Sequence, residues 1–234
     1  MFFSPNTKLW NKADNITLKI NNNILEEVNN YKYLGLIIDN KLNWKHHIDS
    51  LHTKLSSTIG ILYKTRHYLN QQSLIIILQS LFLSHLRYGI TCWGRASKTA
   101  IKPLQVLYNR AIRCIFHCNR RDNISQFFQK HNLLPIDQIF TLEVGKFMFG
   151  FEKNFLPQIF SDYFIKVTNS HEHNTRFSTN NFSLPRKISN KGRNSLGYLG
   201  VKLWSEIPQI IKNSSTLNSF SNCFKNYLLK KLST

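Results

Sequence analysis

Acidic residues are scarce in this chain. Twelve Asp and Glu stand against 31 Lys and Arg, giving a formal net charge of +19 over 234 residues. The shortage leaves few candidates for chemistry that gathers carboxylates around metal ions. The six Asp, at 14, 39, 49, 122, 137 and 162, each stand apart from any other acid. Glu26-Glu27 is the one acidic pair, and on a strand its two side chains would point to opposite faces.

Cysteine is also sparse. Cys92, Cys114, Cys118 and Cys223 form no C-x-x-C pair and no disulfide framework, so a reducing compartment, nucleus or cytoplasm, is expected rather than secretion. Cys114, His117 and Cys118 lie close together but fall short of a four-ligand zinc set, and read as small thiols on a helix. There is no Gly-x-Ser-x-Gly and no Gly-rich loop ending in Gly-Lys-Ser/Thr, which removes the nucleophile elbow and the P-loop. The opening MFFSPNTKLW lacks the charged and apolar regions of a signal peptide. The most apolar stretch, Leu74 to Leu86, is broken by Gln79, Ser80, Ser84 and His85, and falls short of the roughly 18 residues of a membrane span.

Hydrophobic residues make up 42% of the chain and aromatics 13%, enough for a core. A folded protein this basic meets a polyanion, either nucleic acid or an acidic membrane face. The fold class expected is mainly α: a small N-terminal β element of two or three strands, then a helical bundle (α+β with helices dominant). Ile16, Leu18 and Ile20 alternate with polar residues; Asn21-Asn22-Asn23 marks a turn; YKYLGLII, from Tyr31 to Ile38, reads as a well-buried strand. Helical period then takes over. Trp44, Ile48, Leu51, Leu55, Ile59 and Leu62 form the stripe of an amphipathic helix of about 25 residues, with Lys41, Lys45, Lys54 and Lys64 off it.

A second helix is expected over 73–88, apolar nearly all round and hence central. A third covers 99–118, with Leu104, Leu107, Tyr108, Ala111 and Ile115 inward and Pro103 in its first turn. Pro135 opens a further helix carrying Ile139, Leu142, Val144 and Phe147. From 166 to 194 the chain reads as a basic polar linker, followed by helices over 195–205 and 216–232. The domain reading is therefore 1–40, 41–165, 166–194 and 195–234.

Two constellations could carry function. Arg110, Arg113, His117 and Arg120 with Arg121 recur at helical spacing opposite the apolar stripe, as side chains meeting successive phosphates would. A solvated face has the same pattern, and the net charge leaves the two readings level. In the polar segment, Thr175 and Arg176 could touch phosphate; His171 and His173 lack further metal ligands nearby.

The run YKYLGLIIDNKLNWKHHI, then LFLSHLRYGITCWG, LQVLYNRAIRCIF, LLPIDQIF, HNTRF, SLGYLGVKLWSEIP and FKNYLL follow one another in order. Each is weak alone. The ordered set resembles the part just after the palm of reverse transcriptases from LINE-type, jockey-like non-LTR retrotransposons. The resemblance implies a palm remnant over 1–40 and a thumb-like bundle over 41–165. Tyr33, Leu34 and Gly35 would match the region supporting the primer end, where Gly35 would allow close approach of another backbone.

The partners so implied are RNA, RNA–DNA hybrid or DNA, and a palm domain that is missing from this chain; no membrane is implied. The parent polymerase would use Mg2+ held by palm Asp residues, so no cofactor and no catalysis are expected of this chain alone. A helical protein-interaction module and a non-functional transposon relic are the rival readings.

Overall fold

The computed structural model describes residues 19–160, 163–166, 182–187 and 189–232. It is mainly helical, with two small antiparallel hairpins at the N-terminal side. Two compact units are present: Met1–Gly89 with Ala96–Cys118, and Ile90–Arg95 with Asn119–Thr234.

The first unit opens with β1 (Lys19–Ile20) and β2 (Asn23–Ile24), joined by Asn21 and Asn22 at φ 49° and 65°. Both turn residues lie in the left-handed region, as a two-residue hairpin of matching twist requires. The Asn run is thus a turn, as its composition indicates; Ile16 and Leu18 lie outside the described residues.

YKYLGLII is not one buried strand. It folds into a second hairpin, β3 (Asn30–Tyr33) against β4 (Leu36–Asp39), in the register Tyr31 to Ile38 and Tyr33 to Leu36. Leu34 and Gly35 form its turn at φ 46° and 81°. Gly35 therefore serves a turn rather than a strand interior, and β3 is exposed throughout. Helix α1 (Lys45–Thr65) follows, packing on β4. Its buried stripe includes Ile48, Leu51, Leu55, Ile59 and Leu62.

The junction between β4 and α1 is held by Asp39, which is 4% exposed. Its carboxylate accepts from the backbone N–H groups of Lys41 (3.1 Å), Asn43 (3.1 Å) and Trp44 (2.7 Å). Leu42 and Trp44 sit at φ 51° and 64°. A carboxylate that accepts from three backbone donors of this loop can hold two residues in that costly conformation.

Helix α2 (Gln71–Ile77) starts at Asn70, whose side chain accepts from Ser73 N–H at 2.8 Å. It runs into a π-helical turn, Leu78–Leu83, and then α3 (Ser84–Arg87). This segment is apolar nearly all round, yet it is not buried all round as a central helix would be. Leu74, Leu78, Phe82, Leu83 and Leu86 are buried, while Ile76 and Leu81 are exposed. Helix α5 (Lys98–Ile115) packs along α1 and buries Leu104, Leu107, Tyr108, Ala111 and Ile115. Ser97 caps it, accepting from Ala100 N–H, so Pro103 lies in the second turn, where it has no N–H to give to the carbonyl of Thr99. Phe82 stacks on Tyr108 at 5.4 Å.

In the second unit, α4 (Ile90–Trp93) and α6 (Ser125–Lys130) precede α7 (Ile136–Glu152), which Pro135 opens. After α8 (Asn190–Arg193) come α9 (Leu196–Glu206), α10 (Gln209–Lys212) and α11 (Leu217–Lys231). Helices α9 and α11 both pack on α7. Gly145 sits where an added Cβ would meet Phe224 Cε1 at 2.4 Å, so the small residue sets the α7–α11 approach. Much of the aromatic content gathers here: Phe149 stacks on Phe220 at 4.6 Å, and Phe151 meets Phe164 at 4.8 Å edge-on. Lys212 lies 5.3 Å over the Trp204 ring, and burial holds its amine below the ordinary lysine range, opposed by the nearby Glu152.

Candidate nucleic-acid interface

The amphipathic stripes of α1 and α5 pack these helices against each other, and three pairs give the sense of that packing. Tyr63 meets Arg110, Arg66 lies beside Cys114, and His67 meets His117. The partners advance together along both helices, so the helices run parallel and their C-terminal ends converge.

Two guanidiniums lie over one ring there: Arg66 at 5.1 Å and Arg110 at 5.3 Å from the Tyr63 centroid. Arg66 Nε also donates to His67 Nε2 at 3.2 Å, and the His67 and His117 rings are 6.4 Å apart. Burial pushes the Cys114 thiol up, against the opposing pull of Arg66 and Arg110, so it stays a thiol. The turn at His117, with φ 53°, ends α5, and Cys118 N–H bonds back to the Arg113 carbonyl at 3.0 Å.

Two converging helix C-termini attract cations themselves, each end carrying about −0.5 elementary charge. Arg66 and Arg110 bring a full charge each, so the cluster stays positive after the dipoles are offset. Its sequence signal lies in what surrounds it. No Asp or Glu occurs between Asp49 and Asp122, a stretch holding Lys54, Lys64, Arg66, Arg87, Arg95, Lys98, Lys102, Arg110, Arg113, Arg120 and Arg121. Reading helical faces one at a time misses both this gap and Arg66, which lies just past the end of α1.

The other expected contact residues are distributed as follows. Lys45, Lys54 and Lys64 are all exposed on α1, but at 100° per residue Lys45 and Lys54 flank the buried stripe on opposite sides and Lys64 lies across from it. They do not line one track. Arg110 and Arg113 are on α5, whereas the helix ends at Ile115, so helical spacing does not carry on to Arg120 and Arg121. Those two are exposed and belong to the second unit. Tyr33 and Leu34 are 59% and 72% exposed at the hairpin tip, where the Tyr88 hydroxyl donates to the Leu34 carbonyl. Thr175 and Arg176 lie outside the described residues.

Among the described residues, no group of three or more His, Cys, Asp or Glu could hold a metal ion. Asp39, at the end of β4, accepts from backbone N–H groups. No helix of the described residues is long and apolar enough to cross a membrane.

The chain is helical with a small β element, and its stretch between Asp49 and Asp122 is basic and free of acids. The chain is similar to RNA-directed DNA polymerases of jockey-like non-LTR retrotransposons. It is 26% identical over 135 residues to the probable RNA-directed DNA polymerase from transposon X-element of Drosophila melanogaster, covering 50% of this chain and 15% of that protein. It is 30% identical over 99 residues to the RNA-directed DNA polymerase from mobile element jockey of Drosophila funebris, covering 41% of this chain and 11% of that one. A third relative, from transposon BS of Drosophila melanogaster, is 30% identical over 101 residues. The chain thus spans a small part of these relatives' length. No family model and no solved structure matches it.

Proposed function

We propose that this chain acts as the post-palm, thumb-like part of a non-LTR retrotransposon reverse transcriptase, gripping template–primer or element RNA through phosphate. The observation that carries this reading is the cationic cluster at the converging ends of α1 and α5, within a stretch free of acids. Arginine held on an aromatic ring is pre-aimed, and its planar fork suits phosphate oxygens. In this reading the exposed tip Tyr33-Leu34-Gly35 meets the primer end beside the polymerase palm, and the metal-binding acids of the reaction belong to that palm.

The test is filter binding of the full chain to an RNA–DNA hybrid across salt. Phosphate contacts release counterions, so the binding constant should fall about 10³-fold or more between about 50 and 200 mM salt if six or more phosphates are met. A constant that barely moves over that range overturns the proposal. Primer extension by the chain alone should yield no product.

A further inference from the structure

The turn that closes α1 carries an aromatic ring that the packing does not use. Tyr68 is 87% exposed. Its backbone is fixed all the same: the N–H groups of Tyr68 and Leu69 both donate to the Thr65 carbonyl, at 3.0 and 3.1 Å. The ring is therefore carried on an ordered turn, and little backbone freedom is lost when something settles on it. A single exposed aromatic needs no special cause. What sets this one apart is its company, since it follows Arg66 and His67 directly in the chain. Those two belong to a group of planar side chains already in contact: Arg66 and Arg110 on Tyr63, Arg66 with His67, and His67 with His117. The Tyr68 side chain makes no hydrogen bond, ring contact or cation contact among the described residues.

Rings interleaved with guanidiniums, in a stretch without acids between Asp49 and Asp122, suit a ligand that is both planar and anionic. A nucleotide is both. Within a duplex, stacked neighbours cover the base faces and mainly phosphate is offered. An exposed ring can take a base only where the strand is unpaired. We propose that Tyr68 is the stacking platform for one unpaired base, at the point where a single strand leaves the duplex gripped by Arg66 and Arg110. Any base serves, because each has a π-face. The inference rests on the nucleic-acid reading above and adds the form of the ligand: a duplex with a single-stranded flank rather than a blunt one.

The experiment uses the full chain in fluorescence anisotropy with RNA–DNA hybrids of one duplex sequence. One hybrid is blunt, one carries a few unpaired RNA nucleotides at each end, and one carries the same flanks made abasic. The abasic flanks keep the phosphates and remove the bases. Wild type should bind the flanked hybrid about tenfold more tightly than the abasic one, the size expected when one base stacks. Tyr68→Ala should abolish that preference and leave blunt binding within about twofold, while Tyr68→Phe keeps the ring and should keep the preference. Thermal melts check that both variants remain folded. A preference undiminished in Tyr68→Ala, or absent from the wild type, overturns the platform; salt-dependent binding of the blunt hybrid then leaves the proposed function standing. A preference that depends on Tyr68, in a chain whose blunt-hybrid binding ignores salt, does the reverse. A wild-type chain that binds none of the probes overturns both.

Discussion

The guanidinium of Arg110 on α5 lies 5.3 Å from the ring centre of Tyr63 on α1, and that ring also carries Arg66. Two like charges share one aromatic partner in a stretch with no acid between Asp49 and Asp122. Cation–π contact at an exposed site is worth about 0.5–1 kcal/mol, so each arginine is held in place without being neutralised.

If this pair grips phosphate, Arg66→Ala and Arg110→Ala should each lower hybrid affinity several-fold and reduce the salt slope by about one phosphate's worth. Arg110→Lys keeps the charge but loses the planar fork, and should fall between wild type and alanine. Salt-dependent filter binding of the three variants measures this. Wild-type slopes in both alanine variants would remove the cluster from the interface.

Leu34 occupies a turn position at φ 46° with its side chain 72% exposed. A branched side chain there costs about 1–2 kcal/mol that Asn largely avoids. Leu34→Asn leaves the core untouched and should therefore raise stability by about 1 kcal/mol in urea unfolding. If stability rises while hybrid binding weakens, Leu34 is kept for meeting the primer end. A destabilised variant would refute the turn argument.

Asp39 satisfies the N–H groups of Lys41, Asn43 and Trp44 from a position 4% exposed. Asp39→Ala strands those donors at the entry to α1, and should cost about 1–3 kcal/mol. Equal urea midpoints for variant and wild type would show that water replaces the carboxylate at no cost.

His47 is buried, 7% exposed, and its Nδ1 accepts from Ile37 N–H at 3.4 Å. Burial, and then the charge of Lys54, hold its imidazole below the ordinary histidine value. Above about pH 6.5 the side chain is neutral in folded and unfolded chains alike, and its contribution is whole. As the pH falls, the unfolded chain takes the proton first, so stability drops from about pH 6.5 downward until the folded imidazole is protonated too. The wild type should lose more stability than His47→Gln between about pH 7.5 and about pH 5. Parallel losses in the two proteins would exclude His47 as the source.

Gly94 has no room for a methyl group. An added Cβ would lie 2.5 Å from the Ile90 carbonyl oxygen and 2.5 Å from Phe140 Cδ2. Backbone cannot step aside as a side-chain tip can, so Gly94→Ala should destabilise the chain by about 1–3 kcal/mol. A melt unchanged by the substitution would contradict the packing described.

The helices were largely legible because burial imposes period. The stripe from Ile48 to Leu62 is the buried face of α1, and Leu104, Leu107, Tyr108, Ala111 and Ile115 are the buried face of α5. Pro135 and Thr216 start their helices as their chemistry indicates. YKYLGLII misled because composition reports strand preference but not the turn within it; Leu at a left-handed position hides the hairpin that Asn21-Asn22 announces openly. The run from Arg110 to Arg121 misled because a helix end there depends on the left-handed turn at His117, a residue with no strong stop signal.

The sequence alone determined the charge, the helical periods and the gap without acids, because these depend on residues near one another along the chain. Only the tertiary structure decided which cations act together. Arg66 and Arg110 meet over Tyr63 because α1 and α5 pack in parallel, and Arg95 lies over the ring of Phe140, a residue distant in sequence. Contacts between distant segments follow from how apolar faces are buried against each other, and no local pattern specifies that pairing.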